Sequence, residues 1–285
     1  MNYRHAFHAG NHADVLKHTV LLMLCEVLAD KPAPLFALDT HAGRGIYRLD
    51  DAKAQRTGEA TGGVGRVPDS DVPIPLRPYA AAVAACRAAH GPSAYPGSPW
   101  LLAHALRAQD RIACCELQHD EADALRANFA GDPRVAAHAR DGYTAMHALL
   151  PPRIGTERFG RGLVLIDPPF ESQMEEFDVA ITALRDALQR FPQATYALWY
   201  PIKLRRTLHP VFRRLAALPA KSVLVAEVLV RPDDSPLRMN GSGLVLFNAP
   251  WKFDARLRTL LPALARVLGD EGRGTWRVDW LKAPE

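Results

Sequence analysis

Apolar and polar positions fall into two rhythms along this chain. After Gly10, the apolar residues Leu16, Val20, Met23, Leu24 and Val27 recur at helical spacing. Asn11 stands before them as an N-cap, with Asp14 three residues on as a capping acid. This predicts a first helix carrying His12 and His18, with His5 and His8 on the arm that precedes it. Beyond Pro32 come seven short apolar runs, LFALD, RIACCE, RVAAH, GLVLID, ATYALWY, SVLVAEVLV and GLVLFN, separated by helical or loop-like stretches. Continuous apolar strands alternating with helices predict an α/β fold with a mostly parallel, seven-stranded sheet covered on both faces.

One interval departs from this rhythm. Between about residues 50 and 95 lie Gly62, Gly63 and Gly65, many prolines and the Ala-rich YAAAVAACRAAH, which reads as helical. The stretch is expected to be an insertion packed on the sheet's edge rather than an independent domain. The chain then divides into residues 1–49 (arm, first helix, first strand and glycine turn), an inserted helical subdomain at 50–95, and the rest of the main domain at 96–285.

Composition narrows the class without fixing it. With 285 residues, 48% of them hydrophobic and 23% charged, the chain suits one large soluble domain. A net charge of +4 and a pI near 8.9 permit a polyanionic partner without requiring one. Cys25, Cys86, Cys114 and Cys115 form no C-x-x-C pair and read as structural thiols of a reducing compartment. The first residues carry no signal-peptide core, and VLLMLCEVLA is interrupted by Glu26 and too short to span a bilayer, so a soluble cytoplasmic protein without a membrane partner is expected.

In an open parallel sheet, ligands bind beyond the carboxyl ends of the strands. The first run ends in LDTHAGRG, whose Gly43 and Gly45 allow a tight turn close to a ligand, with His41 beside them. The second ends at Glu116, placed to accept both hydroxyls of a ribose. No third glycine follows, Glu116 lies far downstream, and no G-K-[ST] loop is present, which argues against a dehydrogenase and a P-loop enzyme. In RDGY, Asp141 is positioned either to accept from an adenine amino group or to cap the next helix. YPGSP, with Ser98, is a turn that reaches the same crevice.

The fourth run gives the sharpest signal: GLVLIDPPFE places Asp167, Pro168, Pro169 and Phe170 at the end of a buried strand. The prolines have no N–H, so the loop offers carbonyl oxygens and a carboxylate to an incoming donor, and Phe170 offers a face to a planar base. Such a site fits group transfer to an exocyclic amino group. FNAPW repeats the pattern superficially at the last run and reads as a strand exit with a packing tryptophan, Trp251.

DPPF, the AGRG turn, Glu116 and RDG together resemble class I S-adenosylmethionine-dependent amino methyltransferases. YRHAFHAGNHADVLKH, LDTHAG, RTGE, YPGSP, DPPFE, ALWYP and APWK further resemble the bacterial 23S ribosomal RNA (adenine-N6)-methyltransferase family, which modifies adenine 2030 in the family's usual numbering. Phe170 stands where many relatives have tyrosine. The resemblance implies a Rossmann-like methyltransferase sheet with a small inserted helical subdomain. It also implies that His18, His41, Ser98, Glu116, Asp141, Gly142 and Asp167 contact S-adenosylmethionine, that Asp167 orients the adenine amino group, and that Tyr3 contacts 23S rRNA. Pro168 and Phe170 join Asp167 in the catalytic set.

The four arm and helix histidines lack a cysteine, and Gly10 separates His8 from His12, so no metal site is expected. Lys203, Arg205, Arg206, Arg213 and Arg214, or Arg44, Arg48, Lys53 and Arg56, are candidate phosphate contacts or solvated faces. A monomer without an obligate protein partner is the default. DNA in place of RNA, or a binding protein without turnover, remain the alternatives at this point.

Overall fold

The computed structural model describes residues 4–236 and 239–284. Gly10, at φ +79°, turns the arm away from the first helix. The Asn11 side chain then accepts from the backbone N–H groups of Ala13 and Asp14, starting α1 (His12–Ala29). The chain continues through β1 (Phe36–Asp39), β2 (Ile46–Arg48), α2 (Ala52–Thr57), α3 (Arg77–His90), β3 (Ala94–Pro96), α4 (Ser98–Ala105), β4 (Arg111–Glu116) and α5 (His119–Phe129). Next come β5 (Val135–Ala139), α6 (Gly142–Leu149), the short β6 (Arg153–Ile154) and β7 (Glu157–Arg158), β8 (Gly162–Ile166), α7 (Gln173–Arg190) and β9 (Thr195–Ile202). The last part comprises α8 (His209–Ala216), β10 (Val223–Leu229), β11 (Gly241–Phe247), α9 (Phe253–Leu268) and β12 (Thr275–Lys282).

Eight strands form the main sheet, in the order β12-β10-β11-β9-β8-β1-β4-β5. From β5 to β9 every pairing is parallel, whereas β9–β11, β11–β10 and β10–β12 are antiparallel. The chain leaves β1 toward β4 and β5, then returns to β8 on the other side, so a crevice opens at the carboxyl ends of β1 and β8. Seven strands coincide with the seven apolar runs. The eighth, β12, is an edge strand with only Val278 fully buried, so its sequence TWRVDWLK never reads as an apolar run.

Strand residues alternate between two cores. Leu163 and Leu165 face the core built with α1 and α9, while Val164 and Ile166 face the one built with α7 and α8. All four cysteines are free and buried. No helix among the described residues is long and apolar enough to cross a membrane.

The insertion hangs between β2 and β3, which pair as a two-stranded ribbon. Its principal contacts are with the arm at His5–Phe7, α1 and α9, rather than with an edge strand. The tryptophan of FNAPW also departs from expectation. Trp251 does not pack into the core: it is 83% exposed, at the amino end of the parallel strands, to which the antiparallel β11 delivers it.

Candidate active site

At the end of β8 the chain breaks out of the sheet through Pro168 and Pro169, and Phe170 takes a left-handed conformation at φ +46°. Asp167 therefore stops at the mouth of the crevice, where its Oδ2 is ion-paired with the Lys17 ammonium of α1. Lys17 Nζ also meets Asp14 Oδ1 at 2.9 Å. Asp14 Oδ2 in turn accepts from the Gly10 N–H at 2.9 Å and lies 3.0 Å from His5 Nε2. Asp14 thus reaches one residue beyond a normal capping acid and ties the arm to the helix.

These charges are buried and interdependent. Burial works against the Lys17 ammonium, but Asp14 and Asp167 outweigh it and raise its pKa above the ordinary value. Burial likewise opposes the Asp14 carboxylate, yet His5 and Lys17 hold its pKa well below the ordinary range. Lys17 consequently stays charged and fixes the orientation of Asp167. Sequence reasoning missed Lys17; its signal was the i,i+3 spacing from Asp14, on the helix predicted to run beside the site.

The glycine turn builds a neighbouring cavity. Gly43 and Gly45 adopt φ +57° and +80°, and the Gly43 N–H donates to Glu116 Oε2 at 2.9 Å. Glu116 Oε1 accepts from the Gln118 N–H at 2.7 Å, while burial raises the pKa of its carboxyl. Gly142 fits because a Cβ there would lie 2.0 Å from the Thr40 carbonyl oxygen. Thr40, His41, Gly43, Glu116, Asp141, Gly142, Asp167 and Pro169 line this cavity, and Arg4 and His5 of the arm close over it. At ≈ 70 Å³ it is too small for a nucleoside with the arm in this position.

Asp141 and His41 of this lining have partners of their own, whereas Ser98 and His18 stand outside the cavity. Asp141 caps α6, its Oδ1 accepting from the Thr144 N–H at 2.8 Å, so both of its predicted roles are compatible with its place on the wall. His41 Nδ1 meets the Thr40 hydroxyl at 2.7 Å, and burial pushes its pKa down to about 4. Ser98 opens α4 and is buried, and it lines neither this cavity nor the next. His18 of α1 is 1% exposed, with Nδ1 at 3.0 Å from the Tyr95 hydroxyl, and it too lines neither.

A second cavity of ≈ 250 Å³ lies on the other side of Asp167, lined by His5, Asp14, Lys17, Pro169, Phe170, Trp199 and Lys203 among others. His5, Asp167 and Pro169 line both cavities. Phe170 is 5% exposed, with its ring centroid 4.8 Å from Phe177 and 5.8 Å from Trp199. It forms a wall here instead of an open stacking face, since its left-handed backbone turns the ring back into the core.

The histidines disperse to separate partners: His5 to Asp14, His8 Nδ1 to Glu59 Oε1 at 3.0 Å, and His18 to Tyr95, while His12 is half-buried and desolvation lowers its pKa to about 4. Tyr3 lies outside the described residues. Several predicted phosphate contacts are committed within the fold: Arg44 grips Glu121 at 2.7 and 2.6 Å, Arg48 pairs with Asp50, Arg205 with Glu227 and Arg214 with Asp178.

A parallel sheet reversed at β1, with an antiparallel strand inserted between its last two members and a carboxylate at the fourth strand's exit, defines a class I methyltransferase fold. Comparison with known proteins makes this specific. The family described as "Ribosomal RNA large subunit methyltransferase D, RlmJ" matches residues 32–282, and the chain belongs to it. It is 40% identical over 285 residues to the ribosomal RNA large subunit methyltransferase J of Haemophilus influenzae, and 38% identical over 282 residues to that of Escherichia coli, covering 99% of both chains in each case. Among solved structures, protein LPL1258 from Legionella pneumophila superposes with a TM-score of 0.84 at 31% identity, over 96% of this chain and 98% of that one.

Proposed function

We propose that this protein transfers a methyl group from S-adenosylmethionine to N6 of one adenine in 23S rRNA, the position being that which the family resemblance implies. The observation that carries the reading is the place of Asp167 between two cavities, held there by Lys17.

The first cavity suits this cofactor by its chemistry. Glu116, Glu121, Asp141 and Asp167 line it, and its one arginine, Arg4, is already paired with Asp120. Such a wall accepts ribose hydroxyls and a cationic ligand and disfavours phosphates, unlike a dinucleotide site. When bound, S-adenosylmethionine supplies an electrophilic methyl group on a sulfonium. Glu116 would hold the ribose, and Asp141 with the backbone at Gly142 the adenine end. Arg4 and His5 must move for it to enter, and their return would exclude water.

The second cavity would receive the target base, withdrawn from its RNA stack. The Asp167 carboxylate would accept one N–H of the amino nitrogen, and the carbonyl of Pro168, a buried residue that lines neither cavity, would accept the other. Together they would free the lone pair from the ring and aim it toward the first cavity. Asp167 needs no raised basicity, because an alkylated amino nitrogen is itself acidic and passes its surplus proton through the carboxylate to water. Trp199 and Phe170, in edge contact with each other, form one wall of this cavity, against which the base would lie.

Labelled S-adenosylmethionine incubated with unmodified 23S rRNA, 16S rRNA and duplex DNA, followed by nucleoside analysis, tests this. N6-methyladenosine in 23S rRNA alone is the expected result. Label in DNA alone would overturn the substrate, and label on another atom would overturn the chemistry.

A further inference from the structure

The exposed tryptophan of the FNAPW exit has no part in the site just described. Trp251 is 83% exposed, and the Lys252 ammonium lies over its ring, 4.1 Å from the centroid. The remaining large exposed apolar side chains among the described residues, Ile74, Leu117, Met174, Val179 and Trp276, lie on other elements, so no broad apolar patch surrounds it. The loop that carries the ring is nonetheless held in place. Asn248, at φ +54°, donates through Nδ2 to the carbonyls of Pro192 and Ala194 at 3.1 and 2.9 Å, and its Oδ1 accepts from the Lys221 N–H at 2.8 Å. The Thr195 hydroxyl donates to the Asn248 carbonyl at 2.9 Å, and the Phe253 N–H to that of Pro250 at 3.1 Å. A rigid loop therefore presents an aromatic ring to water, at no return in core packing.

The surroundings are cationic. Lys31 precedes β1, Arg111 opens β4, Arg161 precedes β8, Lys221 precedes β10 and Lys282 closes the antiparallel β12, so all five lie at the end of the sheet that carries Trp251 and Lys252. Of the acids at this end, Asp110 is buried and paired with Arg107 and Asp132 is paired with Arg134, while Asp30 and Asp254 offset part of the positive charge. Arg111, Arg161 and Lys282 also donate to nearby backbone carbonyls, which leaves Lys221 and Lys252 as the cations nearest the ring along the chain and sheet. An isolated, preorganised aromatic among basic side chains matches a nucleic-acid strand better than an apolar protein surface: the ring takes a base and the cations take phosphates.

We infer that Trp251, with Lys252 and Lys221, forms a second RNA contact that stacks on an unpaired base of the substrate outside the target nucleotide. The inference rests on the proposed RNA substrate. Four residues of strand rise, two strand spacings and the loop put Trp251 on the order of 20 Å from Asp167. The contacted base thus belongs to a flanking segment, and the contact adds affinity without touching the chemistry.

The test compares wild type, Trp251→Ala, Trp251→Phe and a Lys221→Glu/Lys252→Glu double variant on full-length unmodified 23S rRNA and on progressively shortened fragments. Trp251→Ala is expected to raise KM and Kd for the full-length RNA by about tenfold, the scale of one lost base–aromatic stack, with kcat unchanged. Trp251→Phe should recover most of the loss, and the double variant should flatten the dependence of Kd on salt. On the shortest fragment still methylated, Trp251→Ala should match wild type. Equal KM and Kd for all four proteins on full-length RNA would overturn the inference. So would unchanged RNA affinity together with an altered sedimentation coefficient for Trp251→Ala, which would assign the ring to a protein interface. Failure of the wild type to methylate any RNA would instead remove the substrate reading, and this inference with it.

Discussion

The exits of β8 and β11 are alike in sequence and opposite in use. DPPF and NAPW each follow a buried strand, each bring proline and an aromatic, and each force a residue other than glycine into the left-handed region, Phe170 at φ +46° and Asn248 at φ +54°. At β8 the aromatic folds inward and the carboxylate faces two cavities; at β11 the asparagine folds inward and the aromatic faces water. Strand direction separates them. The parallel β8 delivers its exit to the ligand-binding end, where α1 supplies Lys17, whereas the antiparallel β11 delivers its exit to the other end of the sheet. A short motif acquires its chemistry from the end of the sheet it reaches.

The contrast is most easily broken at Asp167. Asp167→Asn keeps the shape but loses the charged acceptor, and single-turnover methyl transfer should fall by about 10²–10⁴-fold; a rate near that of wild type would remove Asp167 from the chemistry. Next comes its support. Lys17→Met leaves Asp14 and Asp167 buried without their cation and should cost about 3–5 kcal/mol in chemical denaturation, together with activity. Phe170→Ala should cost a similar amount, about 3–5 kcal/mol, because it empties a packed site.

Acid titration gives a smaller effect with a defined sign. Burial lowers the pKa of His12 and His41 to about 4 and of His18 to about 3, from 6.5. Their neutral forms are the folded forms, so their contribution is complete above about pH 6.5 and is lost as pH falls through the folded values. Asp39 opposes them: burial raises its pKa from 3.8 to about 7, so its contribution is present at low pH and is lost as pH rises through 7. Asp39→Asn should therefore steepen the loss of stability between about pH 6.5 and 4 and raise stability above pH 7 by on the order of 1–3 kcal/mol. The smallest effect belongs to the second exit, where Trp251→Ala should change stability by less than about 0.5 kcal/mol, as befits an exposed side chain. A cost matching that of Phe170→Ala would erase the distinction between the two exits.

Most of the fold was legible because its signals are local. A buried parallel strand must be apolar throughout, so seven runs announced seven strands, and Asn11 before a helical period announced the start of α1. The edge strand β12 escaped because one buried residue, Val278, leaves no run to read. Within the site, Glu116, Asp141 and Asp167 were legible as strand exits and Gly142 through the family resemblance, and the structure gathers them on one cavity. His18 and Ser98 were named with them but stand behind the wall, and Lys17 was not named at all.

The sequence by itself determined the strands, the glycine turn, the carboxylates at the strand ends and the family, because each depends on residue type and spacing along the chain. Tertiary structure alone decided that Lys17 meets Asp167 across 150 positions, that Phe170 turns inward, and that Trp251 faces water. Ion pairing between buried groups and the direction in which a strand leaves the sheet arise from the packing of distant segments, and no local pattern encodes them.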